Sequence, residues 1–220
     1  MFQLRPPRRD RLRTWLDGQR SSDLTYAPLG VTRNPILHGF RVDHTRARLG
    51  EGEACFLAAS RALRQWEQFN LGWLTIFPQN VPLATGQCVG VVAHSLGLWS
   101  ANAARIVYVV DDAGPPVRFG FAYGTLVDHV ARGEERFLVE WLREDDSVWF
   151  DILAVSRPRH LLAWLGYPWL RRMQRRFGRD AVAAMRRAVP RICPPSRRSA
   201  RQDVPVTTMK RVASCAFQGL

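Results

Sequence analysis

Four polar side chains lie close together in the sequence, near the turn that joins two predicted strands: His129, Glu134, Glu135 and Arg136. An imidazole beside a carboxylate can transfer protons, and a carboxylate with a guanidinium can orient the polar group of a ligand. Alternation along a strand sends Glu134 and Arg136 to one face and Glu135 to the other. If the first pair faces a cavity, we expect it to address a ligand. The plainer alternative is a salt-bridge and hydrogen-bond cluster that orders the hairpin.

The strand that precedes this turn has one bulky face and one bare face. Phe119, Phe121 and Tyr123 share the bulky face, whereas the bare face carries only glycine and alanine up to Gly124. Because glycine inside a strand loses packing and conformational entropy, the bare face indicates that a helix or a ligand lies close to it. We expect the final helix of the chain to occupy that position. Either face remains a candidate lining for a pocket, and simple core packing is the alternative for Tyr123.

Other kinds of site find little support in the sequence. His38, His44, His94 and His160 lack the spacing of metal ligands, and the cysteines form no C-x-x-C pair. The glycines form no phosphate-binding fingerprint. We therefore expect no metal and no cofactor.

Hydrophobic periodicity predicts the elements that must position these residues. A strand at 39–49 and an amphipathic helix at 51–69 precede strands at 89–94, 104–110, 117–126, 135–141 and 147–155. Pro158 opens a long amphipathic helix that reaches Ala188 and that Pro168 should kink or divide. This order predicts an α+β fold in which a curved antiparallel β-sheet grips a long C-terminal helix. An apolar pocket can remain between the two layers.

The net charge of +13 is concentrated at the ends of the chain. Residues 1–20 carry six arginines against two acids, and residues 157–188 carry nine arginines against one acid, whereas residues 21–156 are mildly acidic. The sequence predicts a basic N-terminal lead-in at 1–24 with a short helix around Asp10–Gln19, a helix-grip domain at 25–189 and a basic, disordered tail at 190–220. Phosphate attraction is one interpretation of the charge, and a solvated, arginine-rich surface is the plainer one.

Location and partners follow from the same composition. The longest apolar run, Leu161–Leu170, is about half of the ~20 residues that a membrane-spanning helix needs. With no apolar stretch after Arg8-Arg9 to form a signal, we expect a cytoplasmic protein with reduced thiols. We expect no specific nucleic acid. Weak association with anionic membranes stays open, although a helix that packs in the sheet needs the same apolar stripe.

The segment Arg118–Leu126, followed by His129 and Gly133–Phe137, resembles the core pattern of the DUF1990 family. Further matches extend the resemblance over residues 24–188, while Val127-Asp128 departs from the Pro-Gly-like turn expected there. The family resembles the START-like helix-grip (SRPBCC) superfamily, whose members hold hydrophobic ligands or act as cyclases, hydrolases or transporters. The resemblance implies this fold and carries over no activity.

Residues and resemblance together predict that the domain binds a small hydrophobic or amphipathic ligand between the sheet and the final helix. The candidate ligand-binding residues are Phe119, Phe121, Tyr123, His129, Glu134 and Arg136. One rival hypothesis is an enzyme of the same fold with His129 and Glu134 as acid–base residues. Another is a peripheral membrane or nucleic-acid adaptor that uses the basic helix and tail. The sequence leaves ligand identity, catalysis and oligomeric state open.

Overall fold

The computed structural model describes residues 2–33, 40–129, 131–158, 167–189 and 204–209. Within these ranges three α-helices and a 3-10 turn at Glu67–Phe69 accompany nine strands. The helices are α1 (Arg9–Gly18), α2 (Gly52–Arg64) and α3 (Tyr167–Ala188). The strands are β1 (Phe2–Gln3), β2 (Arg41–Glu51), β3 (Leu74–Phe77), β4 (Cys88–Ser95), β5 (Leu98–Asp112), β6 (Val117–Thr125), β7 (Ala131–Leu142), β8 (Ser147–Pro158) and β9 (Val204–Met209).

All of these strands belong to one antiparallel sheet. Its order is β3-β4-β5-β6-β7-β8-β2-β9, and β1 pairs with β5. The helices α2 and α3 cover one face, which we call the inner face. The predicted α+β fold, with an antiparallel sheet that grips the C-terminal helix, is confirmed.

The bulky face of β6 is the inner face. Phe121 and Phe137 are opposite each other on β6 and β7, and both are fully buried beneath α2 and α3. The bare face is not covered by the final helix, which corrects our expectation. A Cβ atom at Gly124 would lie 2.5 Å from the Tyr26 hydroxyl, so the segment Leu24–Tyr26 covers this face.

Helix α3 begins later than the sequence predicted. Strand β8 continues to Pro158, which is paired with Ala131, and residues 159–166 lie outside the described part of the chain. Pro168 is the second residue of α3, where proline is tolerated because a first-turn N–H has no partner within the helix. The middle of α3 packs through Phe177 against Phe69 and Phe137.

The two ends of the chain also join the sheet. The sequence predicted a lead-in at 1–24, and within it α1 packs Leu12 and Leu16 onto the outer face of β4 and β5. Strand β9 lies within residues 190–220, where the sequence predicted a disordered tail, and it pairs with β2. The rest of 190–220 lies outside the described residues.

Candidate functional site

A cavity of about 710 Å³ lies between the inner face of the sheet and the first half of α3. The strands contribute mainly small side chains to its wall, including Ala93, Ser100, Gly133 and Ala154. Where the strands carry large side chains such as Phe137, α3 packs directly against them and no space remains. The cavity therefore exists because the inner face changes from large to small residues along the strands.

A hydrogen-bonded pair supplies polar groups to this cavity. The Tyr123 hydroxyl donates to Oε2 of Glu135 at 2.6 Å, and the two residues face each other on β6 and β7. Burial raises the pKa of Glu135 to about 7; the Tyr123 hydrogen bond opposes this shift and the charge of Asp43 adds to it. Burial also raises the pKa of Tyr123 well above its usual value, and Glu135 reinforces the effect. Near neutral pH the Glu135 carboxyl can thus either donate or accept a hydrogen bond.

The second oxygen of Glu135 makes no hydrogen bond with any residue that the structure describes. Glu135 lines the cavity and is partly accessible, so this oxygen has space to meet another molecule. A polar group with one unused position in an apolar cavity is the usual device that orients a ligand.

Arg171 and Asp43 form an ion pair in the cavity wall, near Tyr123 and Glu135. Arg171 of α3 donates through Nη2 to Oδ1 of Asp43 on β2 at 2.7 Å, and Nη1 contacts the other carboxylate oxygen. Nη1 also donates to Oε1 of Gln174 at 2.9 Å. Both ions are largely buried, and the bidentate geometry offsets their loss of hydration. This contact ties the first half of α3 to the sheet.

The structure divides the sequence-predicted site residues between three places. Tyr123 and His129 line the cavity, and Nδ1 of His129 accepts the Ala131 N–H at 3.1 Å. Phe119 and Phe121 lie outside the cavity wall, in the core. The Phe121 ring packs edge-on against Trp66 with 4.8 Å between the ring centroids.

Glu134 and Arg136 point to the outer face, which corrects the expectation that they address a ligand in the cavity. Glu134 adds atoms to the cavity wall, but its carboxylate accepts the Tyr26 hydroxyl at 2.5 Å and the Gly30 N–H at 2.8 Å. It also accepts the Thr32 N–H at 3.0 Å and the Thr32 hydroxyl. Arg136 donates to the Thr32 carbonyl oxygen at 3.1 Å. These contacts hold residues 26–32 against the outer face, so they differ from the hairpin-ordering cluster of the plainer alternative as well.

The outer face continues into a ladder of ion pairs across four strands. Asp151 accepts from Arg136 at 2.9 Å and from His44 at 2.5 Å. Burial would raise the pKa of Asp151, but the contacts with His44 and Arg136 outweigh it and hold the pKa below its usual value. Glu140 accepts from Arg46 and Arg118, and these hydrogen bonds likewise overcome burial and lower its pKa.

Comparison with known proteins assigns the chain to a family. The family model of DUF1990, described as a domain of unknown function, matches residues 25–184. The chain belongs to this family. A UPF0548 protein of Dictyostelium discoideum is 35% identical over 207 residues, which cover 86% of this chain and 96% of that protein. A UPF0548 protein of Deinococcus radiodurans is 34% identical over 201 residues, 86% of this chain and 98% of its own length.

Among solved structures, the chain is similar to human STARD10, with a TM-score of 0.43 and 12% identity over 85% of this chain and 81% of that one.

Within the described residues, no helix is both long enough and apolar enough to cross a membrane. The same part of the chain contains no group of three or more His, Cys, Asp or Glu side chains arranged to hold a metal ion.

Proposed function

We propose that this domain is a cytoplasmic binding protein for a small hydrophobic or amphipathic molecule, held in the cavity between the sheet and α3. The observation that carries the proposal is the cavity itself. Its volume of about 710 Å³ falls within the range of ligand sites, roughly 300–1,000 Å³. Most of its exposed wall is apolar, and the polar side chains along it include the hydrogen-bonded Tyr123–Glu135 pair.

The Tyr123–Glu135 pair addresses the polar group of the ligand. A ligand hydroxyl or carbonyl can bond to the unused oxygen of Glu135, which donates when protonated and accepts when ionised. The neighbouring Asp43 is already neutralised by Arg171, so it does not compete for the same group. We therefore expect the ligand to be an apolar body with at least one hydrogen-bonding group.

A matched pair of variants tests the proposal. Ala154 lines the cavity opposite Glu135, so Ala154→Phe fills the space beside the polar pair. We expect it to weaken the binding of N-phenylnaphthylamine, a neutral fluorescent probe, by about tenfold or more, which corresponds to ~1.4 kcal/mol. Ala113→Phe makes the same chemical change in an exposed turn and should leave the binding unchanged.

Native mass spectrometry of the gently purified protein provides an independent measurement. We expect a small molecule to remain bound to the unmodified chain and to the Ala113→Phe variant, and to be missing from Ala154→Phe. If the folded Ala154→Phe protein binds the probe as tightly as the unmodified chain, the cavity is not the binding site and the proposal fails.

A second candidate function is proton transfer on the bound molecule. The specific observation in its favour is that Glu135 combines a pKa of about 7 with a hydrogen bond from Tyr123 inside the cavity. These are the properties of a general acid or base. Once a ligand has been identified by mass spectrometry, Glu135→Gln should keep its binding and abolish its conversion. Conversion at an unchanged rate would exclude this role.

A further inference from the structure

Four large apolar side chains are exposed around the mouth of the cavity. Phe2 is 65% exposed, Leu96 75%, Leu98 44% and Trp169 41%, and all four also line the cavity. Scattered exposed leucines are ordinary on protein surfaces, but exposed apolar side chains that gather around one cavity mark an interaction site. We call these four residues the rim.

Leu96 of the rim has an energetically unfavourable backbone conformation. Leu96 and Gly97 form the tight turn between β4 and β5, with φ angles of 52° and 74°. A left-handed backbone is unfavourable by about 1–2 kcal/mol for a residue with a side chain, and glycine or asparagine is the usual choice there. Leu96 is 75% exposed, so burial of its side chain offsets little of this backbone cost. Phe2 is placed beside it because β1 pairs with β5 at Ser100.

The chain segments that contain the four rim residues are strongly basic taken together. Residues 2–9, 94–100 and 167–179 contain eight arginines and no aspartate or glutamate. Three of these arginines are neutralised by acids elsewhere: Arg8 by Asp10, Arg171 by Asp43 and Arg176 by Asp180. The other five are exposed and make no ion pair among the described residues: Arg5, Arg9, Arg172, Arg175 and Arg179.

We infer that the rim docks this domain onto an anionic phospholipid surface, with the mouth of the cavity turned towards the bilayer. An anionic membrane can bind both the rim and the exposed arginines. The apolar side chains enter the membrane interface, while the arginines stay at the level of the lipid phosphates. A nucleic acid would bind the arginines through its phosphates but would not bury Leu96 or Phe2. A second copy of the chain would place five uncompensated arginines against five more, which is unfavourable. Trp169 is suited to the interface because its ring is amphipathic.

The test is co-sedimentation of the 220-residue chain with lipid vesicles. We expect binding to vesicles of phosphatidylcholine mixed with phosphatidylglycerol, much weaker binding to pure phosphatidylcholine, and a loss of affinity as salt concentration rises. Leu96→Asp should weaken binding to the mixed vesicles by about tenfold, because a buried leucine contributes at least a factor of ten and the new carboxylate is repelled. Arg172→Glu should also weaken it.

Each variant has a matched control away from the rim. Leu57→Asp makes the same change at a leucine that is 49% exposed on α2, and Arg143→Glu reverses a charge in the exposed β7–β8 turn. Both controls should bind as the unmodified chain does. Leu96 and Arg172 are exposed, so their variants should fold normally, and circular dichroism checks this.

The rim does not depend on the cavity ligand. Ala154→Phe should bind the mixed vesicles normally even though its cavity is filled, so failure of the ligand proposal and failure of this one are distinguishable. The inference is overturned if the unmodified chain ignores the mixed vesicles, or if Leu96→Asp binds them no more weakly than Leu57→Asp. Self-association of the unmodified chain that Leu96→Asp abolishes, without vesicle binding, would instead identify a second copy as the occupant.

Discussion

Glu135 is held against Tyr123 in an apolar cavity, and this environment couples its protonation to folding. Its pKa is about 7 in the folded protein and 4.5 when it is unperturbed. Between these values the folded chain binds a proton that the unfolded chain does not. The stability that Glu135 contributes is therefore present below about pH 4.5 and is lost as the pH rises through about 7.

Glu135→Gln should remove this dependence. At pH 8 the variant should be more stable, relative to the unmodified chain, than it is at pH 5, and a shift of this size is worth roughly 3 kcal/mol at most. The measurement is the free energy of unfolding in urea at several pH values. Glu53→Gln, an exposed residue of α2, is the control and should show a constant difference. A pH-independent difference for Glu135→Gln would contradict the assigned pKa.

Alternation along the strand separated Glu135 from Glu134 correctly but did not say which of them meets the cavity. That choice depends on what covers each face of β7. The outer face receives Tyr26 and Thr32, which are about a hundred positions away in the chain and show no periodicity that predicts their location. Asp43 and Arg171 were missed for the same reason, because a pair from β2 and α3 leaves no local pattern. Tyr123 was identified because its aromatic neighbours defined its face.

At the scale of elements, Gly178 allows α3 to approach strand β2 closely. A Cβ atom at this position would lie 2.8 Å from Oγ1 of Thr45 on β2, which is closer than side chains normally come. The absence of a side chain at 178 thus sets the distance between the helix and the strand next to the cavity.

Gly178→Ala should destabilise the protein by about 1–3 kcal/mol, because the helix must move away from the strand. In an unhindered helix the same change stabilises by about 0.5–1 kcal/mol. Gly18→Ala, at the end of α1 with nothing within 4 Å, is the matched control for the unhindered case. Chemical denaturation measures both. Adding Thr45→Ala to Gly178→Ala should recover most of the loss, and no recovery would show that the contact is not the cause.

The apolar stripe of the last helix and the alternation of five central strands were enough to predict these elements and the fold. The errors occur where local signals are weak. Pro158 predicts a helix start, but in the structure it ends β8 beyond the last pairing with β2 at Ser156, where a residue without an N–H is tolerated as on a sheet edge. Strand β3 has four residues and β9 has six, and both are recognisable mainly through their partners β4 and β2.

At the scale of the whole molecule, the N-terminal segment completes the outer surface. The family match begins at residue 25, yet Leu16 of α1 is 3% exposed and packs with Ala103 and Leu126. The sequence predicts the helix itself, but its basic composition gives no sign that two leucines four residues apart would pack against a sheet. Without α1, the apolar residues of β4 and β5 on the outer face would meet water.

Leu16→Asp should therefore destabilise the whole domain by about 3 kcal/mol or more, since it buries an unpaired charge. Leu29→Asp, at a leucine that is 57% exposed, should change stability by less than about 0.5 kcal/mol. Thermal unfolding followed by circular dichroism compares the two. If Leu16→Asp unfolds at the same temperature as Leu29→Asp, the N-terminal segment is not part of the folded domain.

The ion-pair ladder on the outer face has a consequence for how the strands find their alignment. Glu140 and Asp151 alternate with Phe137, Val139, Phe150 and Ile152 along β7 and β8. A slip of one residue in either strand would turn its carboxylates inward among phenyl rings and its phenyl rings towards water. The ladder therefore favours the observed register, because a sheet paired one residue out of register would bury these carboxylates without their arginine partners.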